Sequence, residues 1–555
     1  MNITFEQSTN IVETYDFIEV RIHVENPSVA NPFTEAEVFG QFGLDVEPFT
    51  FTHGLPDGEL GTASIRPGLI PVDGFCDSDD GSLYRIRFMP SEAGAYSYEA
   101  VFTAGGQKYH TSGTFMAENR GRKGLLRVDP DFPFHFQWDN TKEHFFYHGM
   151  TAYHMPGIQD DAEIRRSIDR LHACKVNRIR IAVNSSRVRN GMAWFEPVYD
   201  SEDFTFLYGP WIAERPHDHT YPGWDVTRFD IAYWRKLERL LAYALSKDIS
   251  VSLIMYLDAY RRGCDPFGPH HAGGLDEQRY YRYAAARLAA YSNITWDLTN
   301  EYRLIRPHAW VERMGYFLKS CDPYHHLMTC HGHETFDFRL SGWADFAVYQ
   351  CWDEHGGYAY MLRNRETQLA MGRSIPQVNE EYGYEDHYPS AWGEGKKAPA
   401  RSADRLRRIA WEIAMAGGYQ TSGEYAGNGL GGWLNGRGDE SMLLPKTLEP
   451  LVRFFEHLEW WKMNPGQVEL IKGTGYCLAE QGRQYVIYAP EAGEIGIVLD
   501  RGSYEISWYN PREGTFYPGF RLDGSELVAR CPDQEGDWVV RIQSAACRIP
   551  EKTTP

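Results

Sequence analysis

Long apolar runs are missing from this chain. No segment of its 555 residues approaches the ~20 consecutive apolar positions that a membrane-crossing helix needs, so neither a helical span nor a membrane partner is expected. Basic charge is scarce as well. Lysine and arginine total 56 against 76 aspartates and glutamates, a formal net charge of −20, which argues against a nucleic-acid partner. Cysteines are few and unpaired in pattern: nine of them (76, 174, 264, 321, 330, 351, 477, 531, 547), odd in number and never spaced Cys-x-x-Cys. That excludes a regular disulfide framework or zinc ribbon and fits reduced thiols. The opening MNITFEQSTNIVETYD has neither the basic start nor the apolar core of a secretory signal, which points to a cytoplasmic location. No Gly-x-Gly-x-x-Gly follows any strand-like run, against a dinucleotide-binding sheet. No cofactor is implied. Homo-oligomerisation is left open.

What is present falls into three stretches. Residues 1–124 read as all-β: in FIEVRIHVEN, Ile18, Val20, Ile22 and Val24 alternate with polar neighbours, the period of a half-buried strand. Residues 82–102 read as two more strands around a Pro/Gly turn, and ENRGRKG (118–124) as a linker. From 125 to 464 strands alternate with amphipathic helices. Strand-like runs lie near 145–150, 176–183, 249–257, 294–301, 326–331, 344–352, 375–381 and 418–425, with helices expected over 161–174, 229–245 and 402–417. Eight strands with helical crossovers predict a (β/α)8 barrel of the TIM type, with a long insertion at 185–228. After a helix at 448–461 the period returns to two, so residues 465–555 form a second β-domain. The fold class expected is α/β, a barrel flanked by N-terminal and C-terminal β-sandwiches.

Alternation along a barrel strand sends every second side chain to the lumen. If the helix-facing side is apolar, the polar set of each strand looks inward. By that rule Asp297 and Glu301 point in on ITWDLTNE, and Arg180 on VNRIRIAV. Tyr256 and Asp258 follow on VSLIMYLD, and Gln420, Ser422 and Glu424 on YQTSGE. On PQVNEE the rule turns Glu381 inward and Glu380 away. The fourth and seventh strands lie nearly opposite, so Glu301 and Glu381 can face each other across a sugar-sized gap. Two such carboxylates about 5–5.5 Å apart serve a retaining glycosidase, and about 6.5–9.5 Å apart an inverting one. Arg180 nearby would keep one of them ionised.

Asn300-Glu301 closing strand four, Glu381-Tyr382-Gly383 closing strand seven and Asn177-x-x-Arg180 on strand two resemble clan A glycoside hydrolases. The flanking stretches VDGFCDSDDGSLYRIRFMPSEAGAYSYE and YVIYAP…YEISWYNPREG resemble the N-terminal sandwich and the collagen-binding-type C-terminal domain of apiosidase-like bacterial members. The resemblance implies Glu301 as acid/base, Glu381 as nucleophile, Asn300 as a ligand of the sugar 2-hydroxyl and Arg180 as the group that positions the nucleophile. Two positions depart from the pattern: Tyr302 stands where proline is frequent, and SGEYAGNG lacks the tryptophan many members carry after strand eight.

The expected activity is therefore a retaining O-glycosyl hydrolase, exo-acting on short plant- or microbe-derived oligosaccharides because the insertion and bulky loops crowd the mouth. A carbohydrate-binding protein on a barrel scaffold and an inverting glycosidase are the alternatives. Further sugar contacts are expected from Asp258, His331, Tyr349, Trp352 and Glu424, and from Trp392 and Trp433 in glycine-rich loops. An aromatic content of 14%, with 16 Trp and 35 Tyr, supplies rings in excess for stacking on sugar faces. His331 and His333 form a His-x-His pair without an evident third ligand, so no metal site is expected.

Overall fold

The computed structural model describes residues 2–45, 49–54, 60–65, 68–186, 201–257, 265–352, 356–385, 401–424 and 443–546, with backbone alone for 49–54, 60–65 and 424. Eight parallel strands form the central sheet: β1 (His148–Thr151), β2 (Arg178–Ala182), β3 (Ser250–Ile254), β4 (Ile294–Asp297), β5 (Met328–Thr329), β6 (Ala347–Tyr349), β7 (Gln377–Asn379) and β8 (Tyr419–Glu424). Their spatial order is β5-β4-β3-β2-β1-β8-β7-β6. The free edges meet where Asp345 N–H donates to the Met328 carbonyl and Thr329 Oγ1 to the Phe346 carbonyl, both at 2.8 Å, so the barrel is nearly closed.

Helices α1 (Asp161–Ala173), α2 (Ile231–Ser246), α3 (Leu275–Leu288), α4 (His308–Cys321), α5 (Tyr358–Ala370), α6 (Ala403–Met415) and α7 (Leu444–Phe455) follow strands β1 to β4 and β6 to β8. Several begin where a short polar side chain captures an otherwise orphaned backbone N–H. Asp160 accepts from Ala162, Asp230 from Tyr233 and Ser402 from Arg405. Each helix buries an apolar stripe against the strands; in α6 it is Leu406, Ile409, Ala410 and Ile413.

Two sheets precede the barrel, one antiparallel and built on Ile18–Glu25 and Leu83–Phe88, the other on antiparallel Gly94–Ala104, Gln107–Glu118 and Ala36–Leu44 with Ile11–Glu13 added in parallel. Val20, Ile22, Ile86, Phe42 and Phe102 fill the space between them, with Phe42 stacked on Phe88 at 4.4 Å. A buried charge cluster joins this unit to the barrel: Arg87 bonds Glu19 and Glu238, while Arg287 bonds Glu238 and Asp77. A small sheet of Leu126–Val128, Phe136–Trp138 and His144–Phe145 plugs the N-terminal end of the strands, its Phe136 packed on Tyr147, Phe346 and Tyr419. The C-terminal strands make one seven-stranded antiparallel sheet with its own core of Ile487, Ile506, Leu527, Trp538 and Ile542. Bulges in the long hairpin Glu494–Asn510/Thr515–Arg530 bend it around that core. Asp537 of this sheet holds Arg407 of α6 at 2.7 Å.

The register fixes which residues share the lumen, because partners in adjacent parallel strands face the same way. Thr151, Arg180 and Ser252 lie side by side, as do Gly149, Arg178, Ser250 and Thr421. A side chain at Gly149 would strike Thr421 Oγ1, its Cβ only 2.3 Å away, so the small residue lets β1 and β8 close.

Candidate active site

Two arginines stand in the lumen of β2, one turn of the pleat apart. Burying two cations demands compensating anions, and the end of β7 supplies them. Arg178 Nη1 donates to Glu380 Oε1 at 2.7 Å, and that oxygen also accepts from Tyr147 at 2.8 Å. Arg180 Nε lies 2.7 Å from Glu380 Oε2, an ion pair in which the N–H is not aligned on the oxygen. The other side of the same guanidinium faces the mouth. Its Nη1 is 3.5 Å from Glu381 Oε1 and 3.1 Å from the Tyr153 hydroxyl, and its Nη2 donates to Asn300 Oδ1 at 3.0 Å. Tyr153 O–H in turn donates to Glu381 Oε1. Burial pushes the Glu381 carboxyl above its ordinary range, while Arg180 and the Tyr153 hydroxyl pull it back toward the ionised form.

His331 links the two chain segments that carry the candidate carboxylates. Its Nδ1 accepts the backbone N–H of Glu301 at 3.2 Å, which leaves the proton on Nε2, 3.5 Å from Glu381 Oε1. Burial, helped by the charge of Arg180, holds this imidazole far below its usual pKa, so it is neutral, and its Nε2 approaches the carboxylate without a formed hydrogen bond. Glu301 itself sits at φ +46°, ψ +51°, a left-handed conformation that side chains other than glycine and asparagine seldom adopt. The strain is local and follows directly on Asn300, whose side chain is held by Arg180. Glu301 Oε1 lies 4.0 Å from His333 Nδ1. Beneath them Asp297, fully buried in the lumen, accepts the His331 backbone N–H at 3.2 Å and lies 3.9 Å from Arg180. Desolvation raises its carboxyl to about 7 against the pull of Arg180.

A family model for an apiosidase-like catalytic domain matches residues 135–437, more than half of the chain. The chain belongs to the apiosidase-like family. Residues 62–103, in the N-terminal sheets, match a domain of unknown function, DUF5060. No curated protein matches the chain. Among solved structures, a Bacteroides vulgatus protein assigned to the glycoside hydrolases superposes with a TM-score of 0.73, covering 97% of this chain and 100% of its own at 20% identity. A glycoside hydrolase family 5 structure from the same species gives 0.58, covering 77% and 94% at 17% identity. At these identities the likeness is one of fold: barrel and flanking sheets together.

In this apiosidase-like barrel, Arg180, Asn300, His331, Glu381 and the backbone of Glu301 lie together. Glu380 does not turn away. It lies in the lumen under Glu381, because Val378 rather than Asn379 is the inward residue of β7, paired with inward Tyr419. The chain leaves the strand after Asn379, so the alternation stops and both glutamates reach Arg180. The same inversion holds on β8. Thr421 faces Tyr147 in the lumen, whereas Gln420 turns outward to His148 and Ser422 bonds the Gly383 carbonyl. The premise that polar side chains face inward fails where two of them satisfy each other in the helix layer. Tyr349 is a further case: its hydroxyl donates to Gln377, its ring packs on Tyr360 and Arg339, and it lies away from the site. Tyr256 likewise leaves the lumen to bond Glu277 among α3 and α4.

Trp352 stands at the mouth, half-buried, 4.8 Å edge-on to Tyr384, whose phenol is raised by burial and by Glu381. Trp211 of the insertion is core, packed on Trp224, Phe267 and Tyr280. Asp258, Trp392 and Trp433 lie outside the described residues, as does the Glu424 side chain. Sequence reasoning missed Tyr153, Arg178 and Glu380 as site residues. Arg178 was legible, since it shares the parity of Arg180. Tyr153 lies at the same parity as Thr151, two residues beyond the end of β1.

No group of three or more potential metal ligands occurs among the described residues. No described helix is long and apolar enough to cross a membrane.

Proposed function

We propose that this chain is a retaining glycoside hydrolase with Glu381 as nucleophile and Glu301 as acid/base. The observation that carries the reading is the bridge made by His331, which bonds the Glu301 backbone through one ring nitrogen and approaches the Glu381 carboxylate with the other. Glu381 is held for attack by two donors on Oε1, Arg180 and Tyr153, with His331 Nε2 3.5 Å from the same oxygen. Its Oε1 is oriented by these groups, leaving Oε2 to approach the anomeric carbon. As that bond forms, Glu301 delivers its proton to the departing glycosidic oxygen. Water then enters, Glu301 takes its proton, and the glycosyl ester on Glu381 is cleaved with net retention. Asn300, locked by Arg180, offers its amide N–H to the 2-hydroxyl of the sugar, a contact that strengthens as charge develops on the ring.

Short glycosides cleaved from one end are the substrates proposed, because residues 201–230, ahead of α2, are tied to the chain just beyond the C-terminal end of β2. They carry the hairpin Trp211–Ala213/Trp224–Phe229 and a strand, Leu207–Tyr208, paired with Ser185–Ser186 at the end of β2. The family name makes apiosides the first compounds to try. A panel of chromogenic β-glycosides and apiosides tests the proposal. Release of chromophore by the parent and its loss in both Glu301→Ala and Glu381→Ala is the expected result. Binding of sugars without release would favour a carbohydrate-binding protein, and an inverted first product an inverting enzyme.

A further inference from the structure

A second cavity, of 290 Å³, opens at the other end of the barrel. Its walls come from three places: the loop Asp131–His135 of the small sheet, Arg365 and Leu369 of α5, and Trp461, Asn464 and Gln467 at the start of the C-terminal sheet. His135 Nδ1 lies 2.7 Å from the hydroxyl of Tyr419, the first residue of β8, which fixes the cavity at the N-terminal ends of the strands, opposite the catalytic mouth.

Arg365 is the unusual member. Only 8% of it is exposed, and its guanidinium lies flat on Phe134, 3.6 Å from the ring centroid. Nη2 donates to Asn464 Oδ1 at 3.1 Å, and Nη1 has no acceptor. Among the described residues no carboxylate pairs with it. Arg87, Arg178, Arg180, Arg287, Arg306 and Arg407, also buried, each hold a carboxylate oxygen within 3 Å, and Arg339 has both terminal nitrogens met by the amide oxygens of Gln368 and Asn364. A desolvated cation with an unfilled donor is costly unless an anion meets it. The π-face of Phe134 offsets part of that charge but offers no acceptor to the N–H groups. His135 beside it is neutral, because burial and Arg365 itself drive its pKa down to about 3, so it adds no charge of its own to the cavity. The one acidic lining residue, Asp131, is exposed at the rim and forms no ion pair with Arg365, so solvent screens it.

We propose that this cavity is a binding site for a small oxyanion, a carboxylate or phosphate group, received by Arg365 and Asn464 between the rings of Phe132, Phe134 and Trp461. Amide side chains and half-buried rings beside a guanidinium suit an acidic monosaccharide, and the same guanidinium suits inorganic phosphate. The planar fork of arginine gives two parallel bonds to either one.

The test is thermal-shift and calorimetric titration of the full chain with sodium glucuronate, inorganic phosphate and neutral glucose at fixed ionic strength. Saturable binding of one or both oxyanions, with no response to glucose, is expected in the parent. Saturation by glucuronate alone would assign the ligand to an acidic sugar, and by phosphate alone to a phosphate group. Two variants locate the effect. Arg365→Gln should weaken binding at least tenfold and leave the hydrolysis of a chromogenic glycoside unchanged. Asn464→Asp, nearly isosteric, places a carboxylate against Nη2; it should raise the melting temperature of the ligand-free protein and abolish the anion response. An absent response in the parent overturns the proposal, and so does a response that survives in Asn464→Asp.

Discussion

Arg180 Nε sits 2.7 Å from Glu380 Oε2, while the opposite edge of its guanidinium faces Glu381. Two consecutive glutamates are thus given different work by one arginine. Glu380, fully buried between Arg178 and Arg180, is the counter-ion that keeps Arg180 in place; Glu381, at the mouth, is the group that can meet a substrate. Glu380→Gln should therefore lower kcat while leaving KM nearly unchanged, since it acts through Arg180 and touches no sugar. Removing one partner of a buried ion pair should also cost about 3–5 kcal/mol of folding stability, measured by denaturant unfolding.

Direct loss of the chemistry is expected from Glu301→Ala and Glu381→Ala, each lowering kcat/KM by roughly 10³-fold or more with the fold retained. Circular dichroism and kinetics on the same preparations check both halves of this statement.

Glu301 also makes a backbone prediction. At φ +46° a glycine is relieved of the Cβ clash that glutamate or alanine suffers, worth ~1 kcal/mol. Glu301→Gly should be inactive yet more stable than Glu301→Ala by about that amount. Equal melting temperatures for the two variants would mean that the strain is absent.

Asp297 sets a pH dependence. Its carboxyl is raised in the folded protein from 3.8 to about 7, so the folded state holds a proton that the unfolded chain has already released. The stability contributed by that proton is fully present below about pH 4 and is lost as pH climbs through about 7, a change of ~2–4 kcal/mol. Unfolding measured between pH 4 and 8 should show a decline that Asp297→Asn flattens. Asp322 works in the opposite sense: His326 and backbone N–H groups lower it to about 2, and its contribution fades only as pH falls toward that value.

Much of this architecture was legible in the residues. Each of the eight strand-like runs contains or overlaps an observed strand, since a parallel strand covered by helices must be apolar on its outer face, as Ile179, Ile181, Val251 and Leu253 are. The helix start at 403 was marked by Ser402, whereas the helix expected from 229 begins at 231, where Asp230 caps it. What failed was orientation on β7 and β8. There an inward valine and outward glutamines reverse the simple pattern, because Gln377 bonds Tyr349 and Gln420 bonds His148 within the helix layer. Such pairs depend on residues far apart in the chain, and no local period records them. The role of Glu380 was hidden for the same reason: it is set by two arginines about 200 positions away.

With Glu381 as the nucleophile, its carboxylate should become covalently glycosylated during turnover. Incubation with an activated 2-deoxy-2-fluoro glycoside of the preferred sugar, followed by peptide mapping by mass spectrometry, tests it most directly. One fluoroglycosyl adduct, on Glu381 and formed in step with loss of activity, is the expected result. An adduct on Glu380 or any other residue would contradict it, as would an enzyme that hydrolyses the parent glycoside with inversion and is never labelled.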